Sequence, residues 1–412
     1  MSGKSLLFIA PASPAPDGNG LAMRAHMFLT AYAAAADVDL AVVPVAGAAA
    51  IDPRAGRLCR RAAIIGLDGV DSHFALVRAV ADDDARLAAF ARYGAPSITA
   101  PLTAGLRARL AAFAGGQAYD LVHVSRTYLG GLADPWVKAG ARLILDCDEA
   151  DGDVLRAIAR LERRGGSGAA AAWTMLDAGH HDGLALRVLP RFGRRFASSH
   201  GEARRLTELT GAEVTTVSNP APRLAPLPAA PPRPDPLILL VGTMNYAPNV
   251  DGAIWFARTV LPRIRRGGAS KAKLLIVGRR PADPVLRLRH QCGVEVVGSA
   301  PDLRRYYRRA ALVVAPLRAG GGTRIKLLEA AVLRRPVVAT AIGAEGLGLR
   351  HGRDLMLAND ADGFARACLV LLRQPQLAQR LTRNAAAFLQ SRHDSRIIGG
   401  IIRSSVGLGG GQ

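Results

Sequence analysis

Short unbroken runs of Val, Ile and Leu, separated by longer segments with an apolar residue every three or four positions, dominate the second half of the chain. The runs are Leu237 to Gly242, Leu274 to Gly278, Val294 to Gly298, Ala311 to Pro316 and Pro336 to Thr340, and helical patterns cover Val250 to Arg266 and Thr323 to Leu333. A strand that is apolar throughout, rather than on alternate residues, belongs to a parallel sheet covered by helices on both faces. The first half repeats the theme less cleanly, with strands at Ser5 to Ala10, Val38 to Val43, Leu121 to Val124 and Leu143 to Asp146, and a helix at Leu21 to Ala36. Gly165 to Asp182 reads as a loop followed by a short helix. The pattern predicts an α/β protein of two Rossmann-like doubly wound domains facing a cleft, with ligands at the carboxyl ends of the strands.

Proline density marks the division between them. From Ser218 to Pro236 the chain reads SNPAPRLAPLPAAPPRPDP, which excludes helix and sheet and favours an extended connector. The expected organisation is a first Rossmann-like domain over 1–217, a linker over 218–236, a second Rossmann-like domain over 237–390 and a tail over 391–412. Glycines in SRIIGGIIRSSVGLGGGQ predict that this tail is short or frayed.

The 412 residues, half of them apolar, are enough for two packed cores. Lys and Arg number 54 against 33 Asp and Glu, a formal charge of +21 that favours phosphate-rich partners without choosing among nucleotides, anionic lipid and nucleic acid. Compositional bias toward Arg and Ala accounts for part of that excess. No helix-turn-helix, zinc-finger or RNA-binding signature accompanies the charge, so nucleic acid is not expected as a partner. The four cysteines, Cys59, Cys147, Cys292 and Cys368, form neither a CxxC nor a Cys/His cluster, so no metal site or disulfide framework is expected and a reducing cytoplasm fits. No apolar stretch reaches the roughly 20 residues that span a bilayer, which leaves peripheral attachment to the inner face of the cytoplasmic membrane as the expected form of any association.

The sharpest chemical signal is APLRAGGGTRIKLLEA, Ala315 to Ala330. An apolar strand ends, Gly320, Gly321 and Gly322 let the backbone approach a ligand, and Thr323 can cap the helix that follows. The positive end of that helix, with Arg324 and Lys326 in its first turn, suits a phosphate or diphosphate. A plain flexible loop before an amphipathic helix is the alternative. Glu329, two turns along in an otherwise apolar stretch, either faces solvent or needs a donor such as a ribose hydroxyl pair. Neither the GxxxxGK[ST] spacing of a P-loop nor a GxGxxG after a first strand is present.

The segment VGTMNYAPNVDGAIWFARTVLPRI from Val241 to Ile264, followed by LLIVGRRP and VEVVGSAPDLRRYYRRAALVVAPLRAGGGTRIKLLEAAVLRRPVVATAIGAEGLG, resembles the donor domain of GT-B glycosyltransferases of the family 4 and family 1 group. Among these it is most similar to bacterial sugar transferases of exopolysaccharide assembly. The resemblance runs from about Leu237 to Asn384. In the first half it is weaker, resting on Leu6 to Gly20 with Arg24, on YDLVHVSRTYLG and on ARLILDCDEADG.

The resemblance implies a nucleoside diphosphate sugar, of UDP or GDP type, bound by the second domain, an acceptor bound by the first, and transfer with retention of anomeric configuration. No cofactor or metal is implied. Glu329 matches the glutamate that holds the ribose, and Gly321, Gly322 and Thr323 match the turn facing the diphosphate and sugar. Two departures stand out. The first of the two glutamates common in the group falls at Gly321, and the usual Arg and Lys after the first strand of the second domain are replaced by Gly242 to Asn249, GTMNYAPN. Arg324 and Lys326 are therefore expected to supply the missing cations, with Gly242, Asn249 and Gly320 also on the donor side.

On the acceptor side the expected residues are Gly18, Asn19, Gly20, Arg24, Ser125 and Arg126. Ser125 stands where the group often has the second histidine of an HxH, and His123 alternates into the strand as a core residue. Asp146-Cys-Asp148 has the DxD form of the metal-binding GT-A architecture, but the second half matches GT-B throughout, and acceptor binding or helix capping is the preferred role. The basic stretch from Arg263 to Arg309 is either a solvated face or attractive to an anionic membrane carrying a lipid-linked acceptor. The expected function is a retaining glycosyltransferase acting on a glycan or glycolipid. A GT-B nucleotide-sugar epimerase and a non-catalytic nucleotide-sugar-binding subunit of a polysaccharide assembly complex are the alternatives.

Overall fold

The computed structural model describes residues 4–45, 47, 50–228, 234–300, 302–322 and 324–409. The chain divides into two compact units, one comprising Met1–Pro220, Gly321–Thr323 and Ser395–Gln412, the other Ala221–Gly320 and Arg324–Asp394.

The first unit carries seven strands: β1 Lys4–Ala10, β2 Ala36–Val42, β3 Arg61–Ile64, β4 Leu121–Ser125, β5 Arg142–Asp148, β6 Arg194–Ala197 and β7 Thr215–Thr216. Their order is β3-β2-β1-β4-β5-β6-β7, and all pairs are parallel. The second unit carries β8 Leu237–Val241, β9 Lys273–Val277, β10 Val294–Val297, β11 Leu312–Ala315, β12 Val337–Ala339 and β13 Met356–Leu357, in the order β10-β9-β8-β11-β12-β13. In each sheet the winding direction reverses beside the first strand, next to β4 in one and β11 in the other. Open sheets of this kind bind ligands at such a reversal, where the loops leaving the two strands run in opposite directions.

The apolar runs are explained by burial on both faces. In the second sheet Ile238, Leu240, Leu274, Ile276, Leu312 and Val314 line one core, while Leu237, Leu239, Val241, Leu275, Val277 and Val313 line the other. The strands that the pattern missed, β3, β6, β7 and β13, are short and lie at or toward sheet edges. Two of β6's four residues, Arg194 and Arg195, are charged, so β6 leaves almost no hydrophobic trace.

Two expectations are corrected. Gly168–Val188 is a single helix of 21 residues, not a loop with a short helix. Its alanines favour helix, and burial of Ala171, Ala178, His181 and Ala185 along one side holds it. The tail is also ordered: Ser391 and Arg392 end the helix Pro375–Arg392, and Ser395–Ser405 forms another helix. Ile398, Ile402 and Val406, spaced four apart, join the core that holds Phe28, Ala31 and Tyr32 of the helix Gly20–Ala33. That burial outweighs the roughly 1 kcal/mol per residue that Gly399 and Gly400 cost a helix. Residues 218–228 and 234–236 of the proline-rich connector form no helix or strand, and 229–233 lie outside the described residues.

Candidate functional site

At the reversal point of the second sheet, the loops after β8 and β11 converge on the helix Ile325–Val332. Gly242 follows β8 directly, and a Cβ there would sit 2.8 Å from the Asn249 amide nitrogen. A side chain would therefore push out Asn249, whose Nδ2 donates to the Thr243 carbonyl at 3.0 Å and whose Oδ1 accepts from Lys326 Nζ at 2.8 Å. This amide links the loop after β8 to the helix Ile325–Val332. After β11, Gly320 and Gly322 adopt φ of 110° and 69°, a left-handed backbone that glycine tolerates best.

Lys326 occupies the first turn of the helix, as expected, but Arg324 does not. Arg324 is the N-cap residue and is 6% exposed, its guanidinium donating to the carbonyls of Gly320 at 2.9 Å and Ile342 at 3.2 Å. It clamps the glycine loop from within instead of presenting a bare cation. Thr323 lies outside the described residues. Burial is the largest influence on Lys326 and lowers its pKa to about 7, helped by the Arg324 charge and opposed by Glu329.

Glu329 lies one turn beyond Lys326 on the same helix face. Burial raises its pKa, while a hydrogen bond from the Tyr307 hydroxyl to Oε2 at 2.8 Å and the Lys326 charge act against that rise. Sequence reasoning missed Tyr307. The only trace of it is that both tyrosines of RRYYRR are buried in a helix whose other four residues are arginines.

At the reversal point of the first sheet, Gly18 has φ of 103° and open space around it, and Asn19 caps the helix Gly20–Ala33 by accepting from Ala22 N at 2.8 Å. Arg24 departs from its expected place at a ligand surface. It is 1% exposed, with Nη2 and Nε on the two Asp146 oxygens at 2.6 and 2.8 Å and Nη1 on the Val217 carbonyl and Asn219 Oδ1. Asp146 is thereby occupied. Among the described residues no group of three or more His, Cys, Asp or Glu side chains is arranged to hold a metal ion.

Ser125 ends β4, 2% exposed, its Oγ 3.3 Å from His123 Nε2. His123 has no exposure, and its Nδ1 is 2.8 Å from the Tyr32 hydroxyl. Burial, with the Arg24 charge, holds it well below the usual imidazole pKa, so it is a neutral core residue. Arg126 has φ of 77° and Asp148 has φ of 66°, two non-glycine residues in left-handed backbone at adjacent strand ends. Arg126 bonds Asp148 and Glu149 at 3.0 Å each, and Asp151 as well. Burial pushes the Glu149 carboxyl up to about 7 against the pull of Arg126.

Comparison with known proteins shows a family match over part of the chain and a shared fold. Residues 235–374 match the family described as Glycosyl transferases group 1. A curated protein of Klebsiella pneumoniae, an uncharacterized 44.6 kDa protein in the cps region, is 27% identical over 167 residues, 39% of this chain and 43% of that protein. The chain thus spans less than half the length of this relative in the match. Among solved structures, sucrose-phosphate synthase from Thermosynechococcus elongatus superposes with a TM-score of 0.66 at 16% identity, covering 97% of this chain and 98% of that one. Anabaena HepE in complex with UDP and glucose gives 0.62 at 14% identity, covering 98% and 99%. Among the described residues no helix is long and apolar enough to cross a membrane.

Proposed function

We propose that this protein, a chain of GT-B fold in which residues 235–374 match the glycosyl transferases group 1 family, is a glycosyltransferase that moves a sugar from a nucleoside diphosphate sugar to a glycan or glycolipid acceptor with retention of configuration. The observation that carries this reading is the pairing of Lys326 and Glu329 on one face of the helix that begins at the reversal point of the second sheet. Glu329 accepts from the ribose, Lys326 neutralises the diphosphate, and the Gly320–Gly322 turn admits the phosphates against the backbone.

In the proposed step the bond between the anomeric carbon and the phosphate oxygen breaks, and the acceptor oxygen bonds to that carbon on the same face. The acceptor's proton passes to the departing phosphate, so no protein carboxylate pair is needed. UDP is the first nucleotide to test because HepE is a UDP complex of the same fold. Surface or exopolysaccharide synthesis is the proposed setting, supported by the relative in a cps region. We assign Gly18, Asn19 and Gly20 of the loop after β1, with Ser125 and Arg126 at the end of β4, to the acceptor side; Arg24, buried on Asp146, Val217 and Asn219, supports that side without facing the ligand. Electrostatic attachment to an anionic membrane surface is supported by the +21 charge.

Calorimetric titration of UDP, GDP and their sugar conjugates tests the donor site. Glu329→Ala is expected to weaken the preferred nucleotide by about 100-fold, a hydrogen bond to a charged acceptor being worth up to roughly 3 kcal/mol. Unchanged affinity in the variant would remove Glu329 from the site. Binding by the wild type without turnover on any acceptor would favour a binding subunit.

Proton uptake gives an independent check. Free Lys326, lowered to about 7, is mostly neutral at pH 8.5, and a bound diphosphate stabilises its charged form. Nucleotide binding at about pH 8.5 therefore takes up a proton, and affinity falls as pH rises above about 7. Titrations in buffers of different ionisation enthalpy read the uptake directly, and it disappears near pH 6 and in Lys326→Met.

A further inference from the structure

Tyr307 sits on Arg304–Arg309, outside the glycine loop and the helix that follows it. Its ring has no exposure and packs in the same core as Leu327, Leu328 and Ala331 from the helix Ile325–Val332. Its hydroxyl lies 2.8 Å from Glu329 Oε2, with a longer approach of 3.4 Å to the Lys326 carbonyl. The backbone behind the ring is also held. Arg335, 2% exposed, donates through Nε to the Tyr307 carbonyl at 2.6 Å and through Nη1 to the Pro228 carbonyl at 2.8 Å.

A carboxylate offers about four lone-pair positions. Tyr307 takes one of those on Oε2, and among the described residues Oε1 receives no hydrogen bond from the protein. Oε1 is not a buried unpaired atom either, so it is an open acceptor on a side chain whose rotation Tyr307 restrains. We infer that Tyr307 is a positioning residue for the nucleotide ribose, anchoring Glu329 by Oε2 so that Oε1 is left to accept from a ribose hydroxyl. This rests on the proposed donor site and adds to it a residue that never touches the nucleotide. Preorganisation of this kind strengthens binding by sparing Glu329 the loss of rotamer freedom when the ligand arrives.

The role has two consequences that simple core packing does not. Tyr307 affects only ligands that carry ribose hydroxyls. It also helps keep Glu329 ionised, so its loss shifts the acid side of the binding profile upward in pH. The test is titration of UDP, GDP and the 2′,3′-dideoxy analogue of whichever binds, into wild type and Tyr307→Phe. The expected result is a loss of about tenfold for the ribonucleotide and no loss for the dideoxy analogue. In the same variant, weakening of ribonucleotide binding on acidification begins at higher pH than in wild type. An equal loss for both nucleotides, or none for the ribonucleotide, overturns the inference while leaving the donor site standing. Failure of the wild type to bind either UDP or GDP overturns the donor site and this inference with it.

Discussion

Replacing Lys326 by methionine lowers nucleotide-sugar turnover by about two to three orders of magnitude, the effect typical of removing one preorganised electrostatic group from a developing charge. The leaving diphosphate gains negative charge as its bond to the sugar breaks, and no Arg and Lys pair follows β8 to meet it, the stretch being GTMNYAPN. Arg324 is spent on loop carbonyls, which leaves Lys326 as the cation of the helix start. Asn249 holds the ammonium at 2.8 Å without neutralising it. Single-turnover measurement of donor cleavage separates this from binding. A fall in rate of less than about tenfold would mean that another group carries the charge.

Arg24→Met costs the first unit about 3–5 kcal/mol, the range for stripping one partner from a buried ion pair. Arg24 and Asp146 are 1% and 2% exposed, so solvent cannot replace what the guanidinium supplies. Val217 and Asn219, at the entry to the connector, each lose the hydrogen bond from Arg24 as well. Urea unfolding followed by Trp136 and Trp173 fluorescence, in a Trp255→Phe background, reports this unit. The double variant Arg24→Met/Asp146→Leu recovers most of the loss, because the penalty belongs to the unpaired charge. If the double variant is no more stable than the single one, the pair does more than satisfy itself.

Much of the proposed donor side is legible in the amino-acid sequence. Glycines, an apolar strand and a glutamate in an apolar stretch are close together along the chain, and their meaning depends on neighbours within about one helical turn to either side. The acceptor side is not legible in this way. Arg24, expected there by resemblance, turns into the core because Asp146 lies 122 residues away and only the pairing of β1, β4 and β5 brings them together. Tyr307 escapes notice for the same reason, since its partner Glu329 is 22 positions on and across a strand.

Two parallel, doubly covered sheets and the position of the glycine-rich turn are written in the order of the amino acids, because short unbroken apolar runs and glycine conformations are local properties. Tertiary structure alone decided what each charged side chain does. Arg24, Arg126, Arg324 and Arg335 are the same residue in the sequence, yet one balances Asp146, one gathers three carboxylates, one clamps a loop and one holds Tyr307 in place. A guanidinium's role follows from the carbonyls and carboxylates that converge on it, and those come from distant parts of the chain.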